Sequence, residues 1–578
     1  MLESSFQLGP RSSSRRAFLT QSSLALATGL LSRSAAGMRG TPAITIPVNA
    51  KRPVTSFVPA LADPEDMRRH ARMAIEAATA AGAHYADVRV GDQRQFYCGE
   101  GWLGSRLKLS YSYGLRVAVD GTTAFLGGAD PTPERLVAAA RSAVASARGL
   151  AKIRKNIGSS SAAHAPAVSR AIAPAPVVTG EWCTPIEIDP FAVSPDDHVA
   201  ALMGFQSLND MVRGPVACGL VLVQWTAETR VFASSEGSLI TQHLAHVLPE
   251  IGIAGFSQDP SIGKNDAIMV YSLNTVLPPS SAGFECVLGI ALREQVAQAM
   301  DDLLPWTAYR TAPVDVGRKA LVLDGAAFGT VLGATVIPAL ALDRVLGEEQ
   351  DVSGTSFLAP PESVLGQPLF APTLNVSVVT GGTHYGRRQW DDEGIPQRAF
   401  PVIERGAVVD YFASRATVST LRDQFSLPSL QSLQPHGVLH ATTAGGIPRP
   451  MPSACVAASA PNGPSSLLEL AATIKDGIIV RGGAISGDQQ GAGGALFNAP
   501  MFEIQNGKVT RRLLYGQLEF STKALLKGIT AVGGPGTVNT TTNFLFAGAP
   551  VTMMHQAVTA PAVHIRDGNL TSTTLRFS

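Results

Sequence analysis

The chain has 578 residues, of which 45% are apolar and 16% charged, with a formal net charge of +1 at pH 7. That much apolar material supports a large buried core, and the length exceeds the size at which one core stops growing, so two or more domains are expected. The near-neutral balance leaves no electrostatic footprint for nucleic acid or anionic lipid, and 56 glycines with 39 prolines favour turns and β-structure over long helices.

The N-terminus reads as an export signal. Arg15 and Arg16 follow Ser13 and Ser14, the apolar stretch Leu24 to Leu31 comes next, and Ser34-Ala35-Ala36 supplies small residues for a signal peptidase. A twin-arginine pair in this setting is the pattern that routes folded proteins across a bacterial inner membrane. The apolar stretch is far shorter than the ~20 residues of a spanning helix. Residues 1–36 are therefore expected to be cleaved, leaving a periplasmic or otherwise extracytoplasmic protein with no membrane attachment. Their loss takes the 46 basic and 45 acidic residues to 42 and 44, a net charge of −2.

Residues 37–60 form an extended, Pro/Thr/Ser-rich lead-in. From Pro64 the spacing predicts a helix, with Asp63 as N-cap and Met67, Ala71, Ala74, Ala77, Ala78 and Ala81 at three- and four-residue steps. Tyr85 to Val90 alternates as a strand. Gly114 to Val119, the Asp120-Gly121 turn and Thr123 to Leu126 predict a hairpin. A helix follows over Leu136 to Ala147, and residues 152–178 are low in complexity and predicted to be a surface excursion. Strands are expected at Gly219–Thr226, Arg230–Ala233 and Leu239–Ala254, the last two separated by the turn Ser234 to Gly237. The helix Leu292 to Leu304 closes an N-terminal α+β domain, residues 61–305, in which hairpins argue against a doubly wound sheet.

Residues 306–578 predict a second, mainly antiparallel β domain, so the fold class is α+β. One apolar helical run, Ala326 to Leu346, comes first. Strands are then expected at Leu374–Val379, Phe400–Glu404, Val408–Ala413, Ile478–Val480, Ala499–Gln505, Lys508–Tyr515 and Ala562–Ile565. Arg405-Gly406 and Asn506-Gly507 have the composition of tight hairpin turns. The five cysteines, at 98, 183, 218, 286 and 455, include no C-x-x-C pair and read as isolated buried thiols.

Common catalytic signatures are missing. Gly263-Lys264 is followed by Asn265 without the glycine spacing of a phosphate loop, and Gly483 to Gly487 puts Ser486 one place late for a nucleophile elbow. H-E-x-x-H is absent. His243 and His246 point to opposite faces of a strand, and His436 and His440 lie ~13 Å apart along one, too far to share a zinc ion at ~2 Å.

The order of motifs nevertheless resembles the TldD/PmbA (TldD/TldE) family of metallopeptidases. The resemblance runs from Asp63 to Asn569. It rests on Tyr85-Ala86-Asp87-Val88-Arg89, Gly114-Leu115-Arg116-Val117 with Asp120-Gly121, Thr184 to Pro190, Ser235-Glu236-Gly237, Gly354 to Phe357, Asp391 to Pro396, Ile474 to Gly477 and Ile504 to Thr510. Gly354 to Phe357 is more similar to the TldD branch. The resemblance implies a peptidase with H-E-x-x-x-H on a helix. Two histidines and a later cysteine hold zinc, the family cofactor, and the glutamate serves as general base. It also implies a homodimer, or a heterodimer with a TldD/TldE-type subunit, acting on peptides in an enclosed cavity.

The helix that should carry the motif departs from it. Gly333 stands at the first histidine, Ala334 at the glutamate and Pro338 at the second histidine, and no cysteine follows Cys455. No histidine occurs between His246 and His384, so a slip of one or two residues restores nothing. No catalytic residue and no cofactor are expected. Asp391-Asp392-Glu393, the densest acidic cluster of this half, reads either as a contact for a peptide amine or a cation, or as a turn whose carboxylates accept backbone N–H groups. Three functions follow: a catalytically silent peptide-binding or partner subunit, a hydrolase using other residues such as Asp392 and Glu393, or an assembly scaffold for an exported complex.

Overall fold

The computed structural model describes residues 61–99, 106–158, 172–194, 197–198, 201, 211–262, 268–272, 277–288, 292–350, 354–547 and 552–572. The twin-arginine segment, the lead-in 37–60 and the 263–265 segment lie outside them. No helix among the described residues is long and apolar enough to cross a membrane.

The N-terminal half is an eight-stranded sheet with helices on one face. Helix α1 (Pro64–Ala80) starts as expected, with the Asp63 carboxylate accepting from Glu65 N and proline in the first turn. Strands β1 (Tyr85–Gly99), β2 (Arg106–Val119) and β3 (Thr122–Ala129) form a meander before helix α2 (Pro133–Gly158). Asp120 and Gly121, both at positive φ, make the β2–β3 turn. Strands β4 (Thr179–Cys183), β5 (Val216–Ser234) and β6 (Leu239–Phe256) complete the order β3-β2-β1-β5-β6-β4. Short strands at Val212–Arg213 and Ile268–Ser272 add to β5 and β6.

Alternation along these strands makes the sheet two-faced. Ala86, Val88, Val90, Leu115, Val117 and Val231 pack beneath Met67, Ala71 and Ala74 of α1 and Leu136, Ala140 and Ala143 of α2. Each large apolar side chain buried here contributes ~1.5–3 kcal/mol. Helix α3 (Leu292–Thr307) covers a separate apolar patch with Trp225, Ile251 and Ile253. The residues between them in sequence, Asp87, Arg89, Gln93, Glu228 and Arg230, point the other way and are also buried. That polar face is where the second half docks.

The second half contains ten- and six-stranded sheets around one extended core. Strand β7 (Gly317–Leu323) leads through the N-cap Asp324, whose carboxylate accepts from Ala327 N at 2.8 Å, into helix α4 (Gly325–Ala334). The short helix α5 (Val336–Ala339) follows. β7 lies between parallel β8 (Asp476–Val480) and an antiparallel final strand, while hairpin β9 (Asn539–Ala547) and β10 (Thr552–Ala560) belongs to the six-stranded sheet. The final strand is β11 (Val563–Ser572). Antiparallel pairs dominate, with parallel ones at β7–β8 and, through Ala454–Ala457, at β10. The turns at Arg405-Gly406 and Asn506-Gly507 both have paired positive φ values.

Several expected boundaries move. Residues 152–158 belong to α2 rather than to a loop, and Ala173 is buried with its carbonyl accepting from Arg415 Nε. The strands expected at 219–226 and 230–233 are one strand. Ala227, Glu228 and Thr229 stay in register with Ala245, Leu244 and His243, because the charge that seemed to interrupt the pattern is buried and paired. Of the strand expected at Val408–Ala413 only Val408 is in a strand, the two-residue Ala407–Val408. Glu349 is buried against Arg449.

Three glycines let the halves approach. Gly91, Gly114 and Gly127 lie on neighbouring strands, and a Cβ on them would overlap Ala444 or the carbonyls of Ala444 and Gly445. Gly149, on the exposed side of α2, meets nothing within 4 Å. Gly114→Val is expected to destabilise by roughly 1–3 kcal/mol and Gly149→Ala to stabilise by up to about 1 kcal/mol. Thermal unfolding of the two variants beside the wild type checks both signs.

Candidate functional site

The segment aligned with the metal motif is buried and apolar. Helix α4 ends at Thr335, whose backbone leaves helical geometry at φ −122° and ψ −73°. The cause sits three residues on. Pro338 has no N–H for the Ala334 carbonyl and its ring would clash there, so the helix breaks and restarts as α5. Thr335 Oγ1 donates to Val331 O at 2.7 Å, leaving the one hydroxyl of the run committed to its own helix.

Glycine spacing sets how α4 sits on the sheet. Gly325, Gly329 and Gly333 line one face at four-residue steps, against Asn539, Thr541 and Asn543 at two-residue steps on β9. A Cβ at Gly333 would overlap the Asn543 amide. Asn543 is itself buried, opposite Gln556 in the β9–β10 register. Gln556 Nε2 donates to Pro452 O at 2.9 Å, while its Oε1 has no partner. The space a ligand at position 333 would need is thus filled by a carboxamide.

Zinc does not fit this donor set. Gly333, Ala334 and Pro338 carry no side-chain lone pair, and amide side chains are poor substitutes for imidazole or thiolate. Among the described residues no group of three or more His, Cys, Asp or Glu could hold a metal ion.

The acidic cluster is built into the junction between the halves. Asp391 Oδ1 accepts from Glu393 N and Ile395 N, both at 2.9 Å, and Oδ2 accepts from Leu439 N at 3.2 Å. This is the turn geometry that the sequence allows. Asp392 accepts from Arg89 Nη1 at 2.8 Å, from Arg230 Nη1 at 2.8 and 3.0 Å and from Ala441 N at 2.8 Å. Glu393 accepts from Arg116 Nη1 at 2.6 Å and Arg415 N at 2.8 Å. All three carboxylates are at most 3% exposed, so none meets solvent as a free peptide contact would.

The network continues outward. Arg230 also forks onto Glu228 at 2.8 and 2.9 Å, Arg116 bonds Asp87 at 2.8 Å through Nε, and Arg415 reaches Tyr85 and Glu236. Burial acts to raise the Asp392 pKa, but Arg230, Arg89 and Arg388 together outweigh it and hold the carboxyl below its usual range. Burial, with the charge of Glu393, moves Asp391 the other way.

The histidines are dispersed. His243 bonds Thr229 at 3.0 Å and Glu181 at 3.1 Å, on the sheet face opposite His246. His436 bonds Asp410 at 2.8 Å and stacks on Phe400, beside a cavity of about 390 Å³ that Ser432 and Leu433 also line. His440 bonds Val438 O and Ser453 Oγ, each at 3.3 Å. Burial, then the charge of Arg388, pushes both His246 and His440 down to about 3. The pairing of Arg89, Arg116, Arg230 and Arg415 with the acidic cluster is what composition and motif spacing missed. Their signal was a charge on every second position of otherwise apolar strands, as at Asp87 and Arg89.

Residues 316–572 match the family model of the PmbA/TldA metallopeptidase C-terminal domain. The fold is similar to that of TldE from Thermococcus kodakarensis, with a TM-score of 0.62 and 15% identity over 87% of this chain and 100% of the other. It is also similar to two proteins named “putative modulator of DNA gyrase”. For the one from Thermotoga maritima the TM-score is 0.59, at 13% identity over 87% of this chain and 99% of that one. For the one from Bacteroides thetaiotaomicron it is 0.58, at 15% identity over 88% and 100%. No curated protein matches by sequence. The C-terminal region is therefore PmbA/TldD-like and the α+β fold is that of TldE structures. Identities this low speak for the fold and do not choose between branches.

Removing one partner of a buried ion pair leaves an uncompensated charge, at ~3–5 kcal/mol. Asp392→Asn is expected to cost that much at pH 7. Because its folded pKa is depressed, the contribution of Asp392 is complete above the unfolded value of about 4 and is lost as pH falls towards the folded one. The gap between variant and wild type in urea unfolding should narrow only in that acidic window. A pH-independent gap would contradict the assignment.

Proposed function

We propose that this chain is an exported, catalytically silent TldD/PmbA-like subunit that binds peptides or partners a second subunit of that type. One observation carries the reading: the helix that should supply zinc ligands and a general base presents Gly333, Ala334 and Pro338, with Asn543 in the space beside them. The scaffold around that helix is complete, with the two-faced N-terminal sheet, the arginine-rich junction and the PmbA/TldA-type C-terminal region all present. A hydrolase built on Asp392 and Glu393 draws no support from their geometry, since each is committed to arginines and backbone N–H groups. The twin-arginine pattern supports folding before export.

The purified mature chain, residues 37–578, is expected to hold less than one zinc per chain after equilibration with the ion, to cleave no unstructured peptide and yet to bind such peptides. Stoichiometric zinc by elemental analysis, or peptide cleavage surviving metal chelation, would refute the silent-subunit reading. Fusing residues 1–60 to a reporter that needs to fold before export tests the route, with Arg15→Lys plus Arg16→Lys expected to abolish its appearance outside the cytoplasm.

A further inference from the structure

Beyond the Asp392 pairs, the junction holds an arginine that forms no ion pair among the described residues, although Asp392, Glu228 and Asp391 lie near enough to act on its charge. Arg388 is 8% exposed. Its Nε donates to Gly386 O at 3.3 Å. Its two terminal amino groups have no hydrogen-bond or ion-pair partner among the described residues, and neither is sealed in protein. Every other arginine on this buried face is engaged: Arg89 and Arg230 with Asp392, Arg116 with Asp87 and Glu393, Arg415 with Glu236. Buried guanidinium groups are paired as a rule, because desolvating one without a partner is expensive. An unpaired one that still reaches accessible space is a place for an anion brought from outside.

The surroundings are arranged for such a guest. The segment 386–388 is pinned on both sides: Arg387 N donates to Ser281 Oγ at 2.9 Å, and Gly386 lies directly against Ser453. Each of these serines meets an imidazole, His246 Nδ1 at 3.4 Å from Ser281 Oγ and His440 Nε2 at 3.3 Å from Ser453 Oγ. His440 is fully used, since Nδ1 faces the Val438 carbonyl and must donate while Nε2 accepts from Ser453. His246 is held on a second side by the backbone of Ala245. The electrostatics decide the kind of anion. Asp392, Glu228 and Asp391 favour the Arg388 charge while Arg230 opposes it, so the nearby carboxylates oppose a dianion more strongly than a monoanion. The flat guanidinium fork matches a carboxylate in shape.

We infer that Arg388 is a binding site for a carboxylate, and that its occupant is the C-terminal carboxylate of a peptide. The second clause rests on the peptide-binding reading above; the first does not. The site is at the seam, away from the α4–α5 segment that aligns with the metal motif, so it works in a chain without zinc. It would fix one end of a peptide at the seam between the halves.

The test compares the free-acid and C-terminally amidated forms of one unstructured peptide on the mature chain by fluorescence anisotropy, with acetate and inorganic phosphate as small probes in thermal unfolding. The free acid is expected to bind at least about tenfold tighter than the amide, and Arg388→Met is expected to bring the acid down to the level of the amide. Acetate should raise the Tm of the wild type more than phosphate and leave Arg388→Met unmoved. Without ligand, Arg388→Met should unfold no lower than wild type, because it removes a buried charge with no hydrogen-bonded counterion; an arginine with a purely structural role would lower the Tm. Equal binding of acid and amide by the wild type, or an unchanged acid preference in Arg388→Met, overturns the inference. If neither peptide binds, the peptide reading fails and acetate decides the rest: protection confined to the wild type upholds the carboxylate site, and no protection overturns it.

Discussion

The fork formed by Asp392 between Arg89 and Arg230 is the constraint on which the molecule depends. It joins neighbouring strands of one half to a turn of the other, at a depth where all three side chains are at most 3% exposed. Charges that deep are tolerable only as a set. Their positions therefore fix those of Ala441, whose backbone N–H and carbonyl both enter the set, and of Gly446, whose carbonyl accepts from Arg89. The loop between them can lie flat because Gly91, Gly114 and Gly127 offer no side chains beneath it. A polar seam made in this way has directional partners at each point, so it specifies one orientation of the halves where an apolar face would permit several.

The same sheet shows how strand alternation divides labour. One set of alternate residues supplies hydrocarbon to α1 and α2, and the intervening set supplies guanidinium and carboxylate groups to the seam. Neither set is surface in the ordinary sense. A strand buried on both sides usually reads as a continuous apolar run; here the second buried side is ionic, and its cost is offset by pairing within the sheet, as for Arg230 with Glu228, and across it.

Local elements were legible in the sequence where backbone chemistry is local. Asp63 as a cap, Asp120-Gly121, Arg405-Gly406 and Asn506-Gly507 as turns, and the alanine-spaced helix after Pro64 all formed, because caps and tight turns are decided by a few adjacent residues. The partners of the acidic cluster were not legible. Asp392 is separated by 303 residues from Arg89 and by 162 from Arg230, and no pattern within one segment announces such a meeting. The strand break wrongly expected near Glu228 has the same origin, since its charge is explained only by Arg230 beside it and the second half above it. At the motif helix the absence of ligands could be read directly. The reason for glycine at 333 could not, because it lies on β9, where Asn543 is found 210 residues later.

That carboxamide alters what the bare backbone of α4 means. If Gly333 faced an empty space, a larger side chain could be introduced there by a single change. With Asn543 seated against α4 and Pro338 breaking the helix register, an imidazole at 333 meets a clash and one at 338 starts from a displaced turn. The fold thus acts as a lock: placing metal ligands on this segment takes coordinated changes on two elements, because single ones are stopped by ordinary steric exclusion.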